Sequence, residues 1–408
     1  MVTACSPAPE TGVVRADGVS LRQVAVPDAT ALPSVVHATR WIGTTMLELA
    51  PDDQNVVVSP SSLAVALAML TDGARGQTLA ELEAALGADG ENRREAFAAL
   101  RGLLLTMDGD PSVVTGDLPD TPVLHLADQM VVDEDYPVDD DYLTALADGF
   151  GAGVQYADLG SQSGKQVLDA WVEHHTGGLV ERSAIEPNDQ LRIVLQDAIV
   201  LAARWDTAFD PAATTDRSFT LADGTELPVE TMANGTGWFG YAEIAGWRAV
   251  RLPYLGELLA ADVVLPPAGV DPTTITPDIL AGLASALHTA TPEPVDLTLP
   301  TLDLRSKLDL HDVIAGIGAP TVLESGKADL SGIGPQGLFV DQAVQQTVLK
   351  VDEEGTVAAA VTEIGVRAGA AMPEESKELH ADRPFLFAVV HTGTSWPLFL
   401  AAVRDPRH

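Results

Sequence analysis

The stretch Asn55–Leu86 reads NVVVSPSSLAVALAMLTDGARGQTLAELEAAL, and its first half places a strand directly before a helix. Three consecutive β-branched residues, Val56–Val58, predict a short buried strand. A helix is predicted next, because Ser59 or Ser61 can cap it and Pro60 stands in its first turn, where a missing N–H costs little. Apolar side chains then recur at helical spacing until glycines interrupt them.

Working outward, apolar runs rich in β-branched residues predict further buried strands. They are Ile193–Leu201, Ala249–Leu252, Ala260–Leu265, Val295–Leu299 and Pro384–His391. Helical spacing predicts a helix from Leu32 onward and others over Lys165–Thr176 and Leu308–Ile317. Because strands and helices come in mixed order without an internal repeat, we expect one α+β domain over residues 32–408. Residues 1–31 lack sustained periodicity and are expected to form a tail or tether.

The charge and the cysteine content exclude several classes of protein. The 408 residues carry 59 acidic and 23 basic side chains, a formal net charge of −36, which repels nucleic acid, heparin and anionic lipid. Cys5 is the only cysteine, so an internal disulfide and a thiolate zinc cluster are excluded. The adjacent His174 and His175 do not face one ligand and are expected at the surface end of a helix. We therefore expect no metal and no cofactor.

Four separated stretches resemble the serpin family, and in the family's order. They are Asn55–Leu86, Gln196–Pro211 with Trp205, the stretch from Met232 through Gly237–Gly256, and Lys350–Glu363 followed by Asp382–Pro406. The resemblance spans the chain from about residue 32 to its C-terminus. It implies a large central mixed β-sheet, two further sheets, about nine helices and an exposed reactive-centre loop over about residues 353–380.

The resemblance also implies a function. An inhibitory serpin is a suicide substrate: a serine protease cleaves the reactive loop, which then inserts into the central sheet as a new strand. The implied hinge of this loop consists of Glu353, Glu354, Gly355, Thr356, Val357, Ala358, Ala359, Ala360 and Thr362. Such a protein is not an enzyme, and we expect a monomer.

The loop has the pattern of a half-buried strand, because alternate side chains point to opposite faces. One face would carry only uncharged residues: Thr356, Ala358, Ala360, Thr362, Ile364, Val366 and Ala368. The other face holds both charges of the segment, Glu363 and Arg367. An ordinary strand or a flexible surface loop has the same composition. The position after the strand-like Gln346–Val351 and before several polar residues favours a segment that is exposed in one state and buried in another.

Family spacing places the scissile bond at Gly369–Ala370, with Ala371 as a neighbouring alternative. These small residues predict proteases with small primary pockets, of the elastase or subtilisin type. The bond Arg367–Ala368 ranks second and predicts trypsin-like targets.

The resemblance further places Ser59, Ser62, Asp197 and Gln345 beneath the point where the sheet parts, with Trp205 near its top. Asp197 stands where the family has an asparagine and Gln345 where it has a histidine. These two side chains can share a hydrogen bond, so we expect an opening of altered strength and pH response. Thr301 replaces a lysine that often pairs with the hinge acid, which leaves Glu353 to find another partner.

The run Val2–Ser6 resembles the end of a bacterial lipoprotein signal, with Cys5 as the lipidated residue. The charged and apolar regions of a signal do not precede it. Either the start lies further upstream or the match is chance. We expect an extracellular or cell-surface protein, with membrane contact only through a lipid on Cys5.

Two alternatives remain. A non-inhibitory serpin would serve as a binding or carrier protein, and the small residues of the hinge argue for inhibition instead. A peptidase would need a nucleophile and a base, and no GxSxG motif supplies them.

Overall fold

A computed structural model describes residues 13, 14, 16, 18–335, 337–356 and 376–407. Several predicted site residues lie outside the described residues. They are Cys5, the hinge residues Val357, Ala358, Ala359, Ala360 and Thr362, and the bond candidates Arg367, Ala368, Gly369, Ala370 and Ala371.

The described chain contains eight α-helices, against about nine expected. They are α1 (Leu32–Glu48), α2 (Pro60–Gly73), α3 (Gly76–Leu86), α4 (Gly90–Leu105), α5 (Asp140–Phe150), α6 (Gln162–His175), α7 (Pro277–Thr289) and α8 (His311–Gly316). Four short 3-10 helices cover Pro111–Thr115, Pro211–Ala213, Pro272–Thr274 and Pro320–Leu323. None of the helices in the described ranges is both long and apolar enough to cross a membrane.

Sixteen strands form the sheets. They are β1 (Val13–Val14), β2 (Val56–Val58), β3 (Val123–Asp133), β4 (Val154–Ala157), β5 (Ile193–Arg204), β6 (Thr215–Thr220), β7 (Glu226–Ile244), β8 (Trp247–Pro253), β9 (Leu259–Leu265), β10 (Glu293–Pro300), β11 (Leu302–Asp309), β12 (Val344–Val351), β13 (Gly355–Thr356), β14 (Lys377–His380), β15 (Phe385–His391) and β16 (Trp396–Val403). The predicted strands are all present, most of them a few residues longer than the apolar run.

The central sheet has the order β1-β4-β3-β5-β13-β12-β11 and is mixed, because β3 and β4 run parallel while its other pairs are antiparallel. The long strand β7 belongs to both remaining sheets. In one it lies beside β6 and β10, with β14 at the edge, and in the other it continues the order β7-β8-β9-β15-β16-β2. This is the predicted α+β arrangement of three sheets.

Helix α2 lies in the interior of this arrangement, and its sequence explains why. Ser59 is its N-cap, since the Ser59 Oγ accepts a hydrogen bond from the Ser62 N–H at 3.3 Å, and Pro60 follows in the first turn. Apolar residues surround the helix on all sides, as expected for a helix buried in a core. Gly73 ends it where a Cβ would lie 2.1 Å from the Ile333 side chain. The helix therefore supports the central sheet from below.

Part of the predicted tail packs on the domain. Val13–Val14 pair with β4. The Arg22 guanidinium binds the Asp148 carboxylate on α5 at 2.9 Å, and Ala29 is buried. Backbone pairing and a few side-chain contacts hold this segment, and they leave no periodic pattern in the sequence.

Candidate functional site

The site is a slot in the central sheet between β5 and β12. No hydrogen-bonded register joins these two strands within the described part of the chain, although each pairs on its other side, β5 with β3 and β12 with β11. Only β13 lies between them, at the upper end: Thr356 is paired with Ala203 on β5 and with Val351 on β12, antiparallel to both.

Below β13 a cavity of about 190 Å³ extends between the two strands. Its walls are β5 and β12, its floor is α2, and the segment that follows α6 covers it. Examples of its lining residues are Leu195, Ile199, Thr347 and Leu349 on the strands, Leu63 and Leu67 on α2, and Leu179 and Ile185 on the cover. The slot thus has the width of one missing strand and an apolar lining.

Aromatic side chains hold the hinge at the top of the slot. Trp205 is buried, and its indole N–H donates to the Asp352 carbonyl oxygen at 2.9 Å. The Tyr254 ring stacks on it at a centroid distance of 4.6 Å, and the Tyr254 hydroxyl shares a hydrogen bond with the Thr356 hydroxyl. Burial raises the pKa of Tyr254, so this hydroxyl stays protonated at physiological pH. Trp205 therefore lies at the upper end of the slot, beside the residues that lead into β13.

Gly355 passes close to the backbone of β5. A Cβ on this residue would lie 2.1 Å from the Ala203 carbonyl oxygen. Since real Cβ contacts are essentially never shorter than 3.0 Å, only glycine fits here without moving the strand. The beginning of the hinge therefore depends on a residue without a side chain.

The hinge acids have separate partners. The Asp352 carboxylate accepts hydrogen bonds from the Glu354 and Gly355 N–H groups at 3.0 and 3.1 Å, which closes the turn before β13. Glu353 accepts a hydrogen bond from the Thr214 hydroxyl at 2.6 Å. Glu354 lies 3.9 Å from Arg204, and burial raises the pKa of Glu354 while Arg204 opposes that shift.

Thr301 does not contact Glu353. Its hydroxyl donates to the Glu230 carboxylate at 3.3 Å. Glu353 instead pairs with the Thr214 hydroxyl, a neutral donor from a different part of the chain.

The first turn of α2 connects the two sides of the slot from below. Gln345 on β12 accepts a hydrogen bond from the Ser59 N–H at 2.7 Å and donates to the Ser59 carbonyl at 2.9 Å. The Ser59 hydroxyl donates to the Ser62 hydroxyl at 2.9 Å, and Ser62 and Asp197 on β5 both line the slot. The predicted hydrogen bond between Asp197 and Gln345 is therefore wrong, because the Ser59 backbone takes up both polar ends of Gln345.

Two residues of this cluster, Asp128 and Arg101, were not predicted from the sequence. Asp128 on β3 is the cross-strand partner of Asp197, and the Arg101 guanidinium of α4 binds the Asp128 carboxylate. The side chain of Asp128 is fully buried. The signal was an acid in the middle of the apolar alternation of β3 and an arginine among the leucines in the second half of α4.

His175 is buried, which corrects the expectation of a surface position. It lies in the last turn of α6, where its ring packs on Trp171 and its Nδ1 is 2.9 Å from the His125 Nε2 on β3. The adjacent His174 is exposed, as expected. The end of α6 is therefore attached to the sheet just before the segment that covers the slot.

The family model for Serpin (serine protease inhibitor) matches residues 44–406, and the chain belongs to this family. Iripin-3 of Ixodes ricinus is 32% identical over 385 residues, which cover 90% of this chain and 93% of that protein. Leukocyte elastase inhibitor of Bos taurus is 31% identical over 365 residues, with 86% and 93% covered. Serpins are as a class protease inhibitors rather than enzymes.

Solved structures share the fold. The native state of Tengpin, a thermophilic serpin, superposes with a TM-score of 0.81 at 23% identity and covers 96% of this chain and 97% of its own. Thyroxine-binding globulin in complex with thyroxine has a TM-score of 0.74 at 21% identity, with 92% and 98% covered. The same fold thus occurs in a protein named for binding a small molecule.

Proposed function

We propose that this protein inhibits serine proteases as a suicide substrate, by inserting its cleaved reactive loop into the slot between β5 and β12. The observation that carries the proposal is β13. Within the described residues it places Gly355 and Thr356, the described beginning of the predicted loop, between β5 and β12 at the upper end of the slot.

The pairing of β13 fixes the register that an inserted loop would continue. Thr356 faces Ala203 and Val351, and both partner strands run antiparallel to it. Each further loop residue would therefore lie one position earlier on both neighbours. Ala358 would face Leu201 and Leu349, Ala360 would face Ile199 and Thr347, and Thr362 would face Asp197 and Gln345.

This register supports the division of the loop into two faces. Thr356, Leu201 and Leu349 are buried against the main core, so the residues opposite them on an inserted strand point the same way. That set is the uncharged one. Glu363, of the other set, would point to the face covered by α6, which is the face that carries Gln196.

Insertion is energetically favourable by this account. An inserted strand would form about a dozen backbone hydrogen bonds, each stabilising by about 1 kcal/mol net, and would bury its methyl groups. Before cleavage the intact loop is tethered at both ends, which opposes insertion. Inhibition then depends on whether insertion outruns hydrolysis of the acyl enzyme.

The scissile bond is proposed at Gly369–Ala370 or at the neighbouring Ala371, and Arg367–Ala368 ranks second. The proposed targets are extracellular proteases of the elastase, subtilisin or trypsin type. The protein would use no catalytic residue and no cofactor of its own. Residue Cys5 is proposed as an anchor to the cell surface.

The test is incubation of the full chain with elastase, subtilisin and trypsin, followed by SDS electrophoresis. We expect a complex that survives SDS, and N-terminal sequencing of the released C-terminal peptide identifies the bond. Cleavage without any complex would refute the inhibitor and favour the carrier protein.

A matched pair of variants tests the slot itself. Ala358→Glu would place a charge opposite Leu201 and Leu349 and should convert the inhibitor into a substrate. Ser376→Glu introduces the same charge at an exposed position after every candidate bond and should leave complex formation unchanged. Equal complex yields from the two variants would contradict insertion in this register.

A further inference from the structure

Two acids face each other beneath the slot. Asp128 on β3 and Asp197 on β5 are directly paired across the antiparallel strands, where side chains on one face lie within contact distance. Both carboxyl groups point to the side of α2 and α4, away from solvent. Like charges at such a pair are unfavourable, so their protonation has to be accounted for.

Within the described residues, the donors beside the pair do not reach all of its oxygens. Arg101 binds one oxygen of Asp128 while its Nε–H has no partner, and the neighbouring Ser62 hydroxyl lowers the pKa of Asp197 against the larger effect of burial. The Asp128 Oδ1 and the Asp197 Oδ2 are buried and have no hydrogen-bond donor. One proton held between the two carboxyl groups supplies the missing donor.

The balance of charges around Asp128 and Asp197 also favours one proton on the pair. Arg101 contributes one positive charge and balances one carboxylate. In the next ionic cluster Arg93 and Arg94 bind Asp72 between α2 and α4, and Arg94 also lies 3.9 Å from Glu91, so two cations there face two acids. From β12 the slot presents the neutral Gln345 to this level, and from α2 the neutral Ser62. A second buried carboxylate would therefore be uncompensated, which is strongly destabilising.

We propose that Asp128 and Asp197 share one proton in the folded protein and that this proton is a pH-sensitive lock on the slot. Its loss leaves two carboxylates beside one arginine, and the repulsion loosens β5 where it rests on α2. The lock itself is a property of the fold. Only its effect on inhibition rests on the proposed function.

The lock acts on the slot through α2. Ser62 lines the slot beside Asp197 on one side, and Ser59 in the same turn bonds Gln345 on the other. Burial, and then the charge of Asp128, raise the pKa of Asp197 well above its ordinary value. Because the folded state holds this proton more tightly than the unfolded chain, its stabilisation is present at acid pH and is lost as the pH rises through the raised pKa.

Infrared difference spectroscopy tests the shared proton directly. The full-length protein at neutral pH should show the C=O stretch of a protonated carboxyl group, and Asp197→Asn should remove it. A spectrum that is the same in wild type and Asp197→Asn would overturn the proposal. This measurement involves no protease.

The second measurement is the rate of unfolding in urea between about pH 5 and 9. For the wild type the rate should rise with pH, by up to about tenfold per pH unit below the raised pKa of Asp197, and level off above that pKa. Asp197→Asn should remove this rise. In Asp128→Asn, Asp197 is left alone beside Arg101 and ionises at lower pH, so the rise should move toward acid pH.

Asp303→Asn is the control, since this exposed acid on β11 should leave the wild-type profile unchanged. Equal pH profiles for wild type, Asp197→Asn and Asp128→Asn would overturn the lock. If the lock is present, SDS-resistant complex should form faster at high pH in the wild type than in Asp197→Asn. Absence of any complex at every pH, with the infrared and unfolding results as expected, would refute the proposed inhibition and leave the lock intact.

Discussion

Gly355→Ala is the sharpest perturbation of the hinge. The added methyl group would lie 2.1 Å from the Ala203 carbonyl oxygen and 2.9 Å from the Arg204 Cα. Both atoms belong to the backbone of β5, so no side-chain rotation can relieve the overlap. β13 must therefore move away from β5 by about 1 Å, the gap between this contact and the shortest that real Cβ atoms show.

The magnitude follows from the hydrogen bonds that such a shift breaks. The Trp205 N–H donates to the Glu354 carbonyl at 2.9 Å, and the Asp352 N–H to the Gly355 carbonyl at 3.0 Å. Counting also the backbone hydrogen bonds of Thr356 with its neighbouring strands, the shift would break two to three hydrogen bonds, each of which stabilises by about 1 kcal/mol. A loss of 2–3 kcal/mol in the insertion step corresponds to a rate roughly 30- to 150-fold slower.

The assay is the stoichiometry of inhibition. A slower insertion gives the protease time to complete hydrolysis, so the variant should be consumed mainly as a substrate. Gly149→Ala is the matched control, because this residue lies in α5 with nothing within 4 Å of an added Cβ. If Gly355→Ala traps protease as efficiently as Gly149→Ala, the close approach of Gly355 to β5 plays no part in insertion and the reasoning is refuted.

Four further predictions test the same picture. Tyr254→Phe keeps the stacking on Trp205 but loses the hydrogen bond to Thr356, so the free energy of unfolding should fall by about 1 kcal/mol and the midpoint of thermal unfolding should fall with it. An unchanged midpoint would contradict this prediction. Arg251→Met leaves the buried Asp262 without its two 2.7 Å hydrogen bonds and should lower the free energy of unfolding, measured in urea, by about 3–5 kcal/mol. The control Arg407→Met removes an exposed ion pair and should lower it by less than about 1 kcal/mol. Burial lowers the pKa of His391, so below about pH 6.5 the unfolded chain binds a proton that the folded state resists. Stability should therefore fall with falling pH, less steeply in His391→Gln, and parallel pH profiles would argue against it. Protein nicked in the loop should melt at a higher temperature than intact protein, and equal melting temperatures would rule out a gain from insertion.

The elements of the fold follow from local patterns. Val56–Val58 and the apolar runs predict strands, and Pro60 after a serine predicts the start of α2. These signals depend on neighbours within a few residues, which the sequence presents directly. The alternation of uncharged residues from Thr356 onward is of the same kind, and the pairing of Thr356 with Ala203 is in line with it.

The partners of polar side chains could not be predicted in this way. Gln345 bonds Ser59, which is 286 positions away, and Glu353 bonds Thr214, 139 positions away. Sequence comparison with the family suggested an Asp197 contact for Gln345 and a lost lysine contact for Glu353. Both side chains instead bond the nearest donor that the packed chain brings to them.

The amino-acid sequence by itself determined the strands, the helices, the family and the alternation of uncharged residues in the predicted reactive loop, because hydrophobic periodicity and backbone preference act over a few residues. Only the tertiary structure decided which acids are paired and where the slot lies. Hydrogen bonds and buried charges depend on atoms within about 3 Å, and such distances exist only after β3, β5, β12, α2 and α4 have packed together.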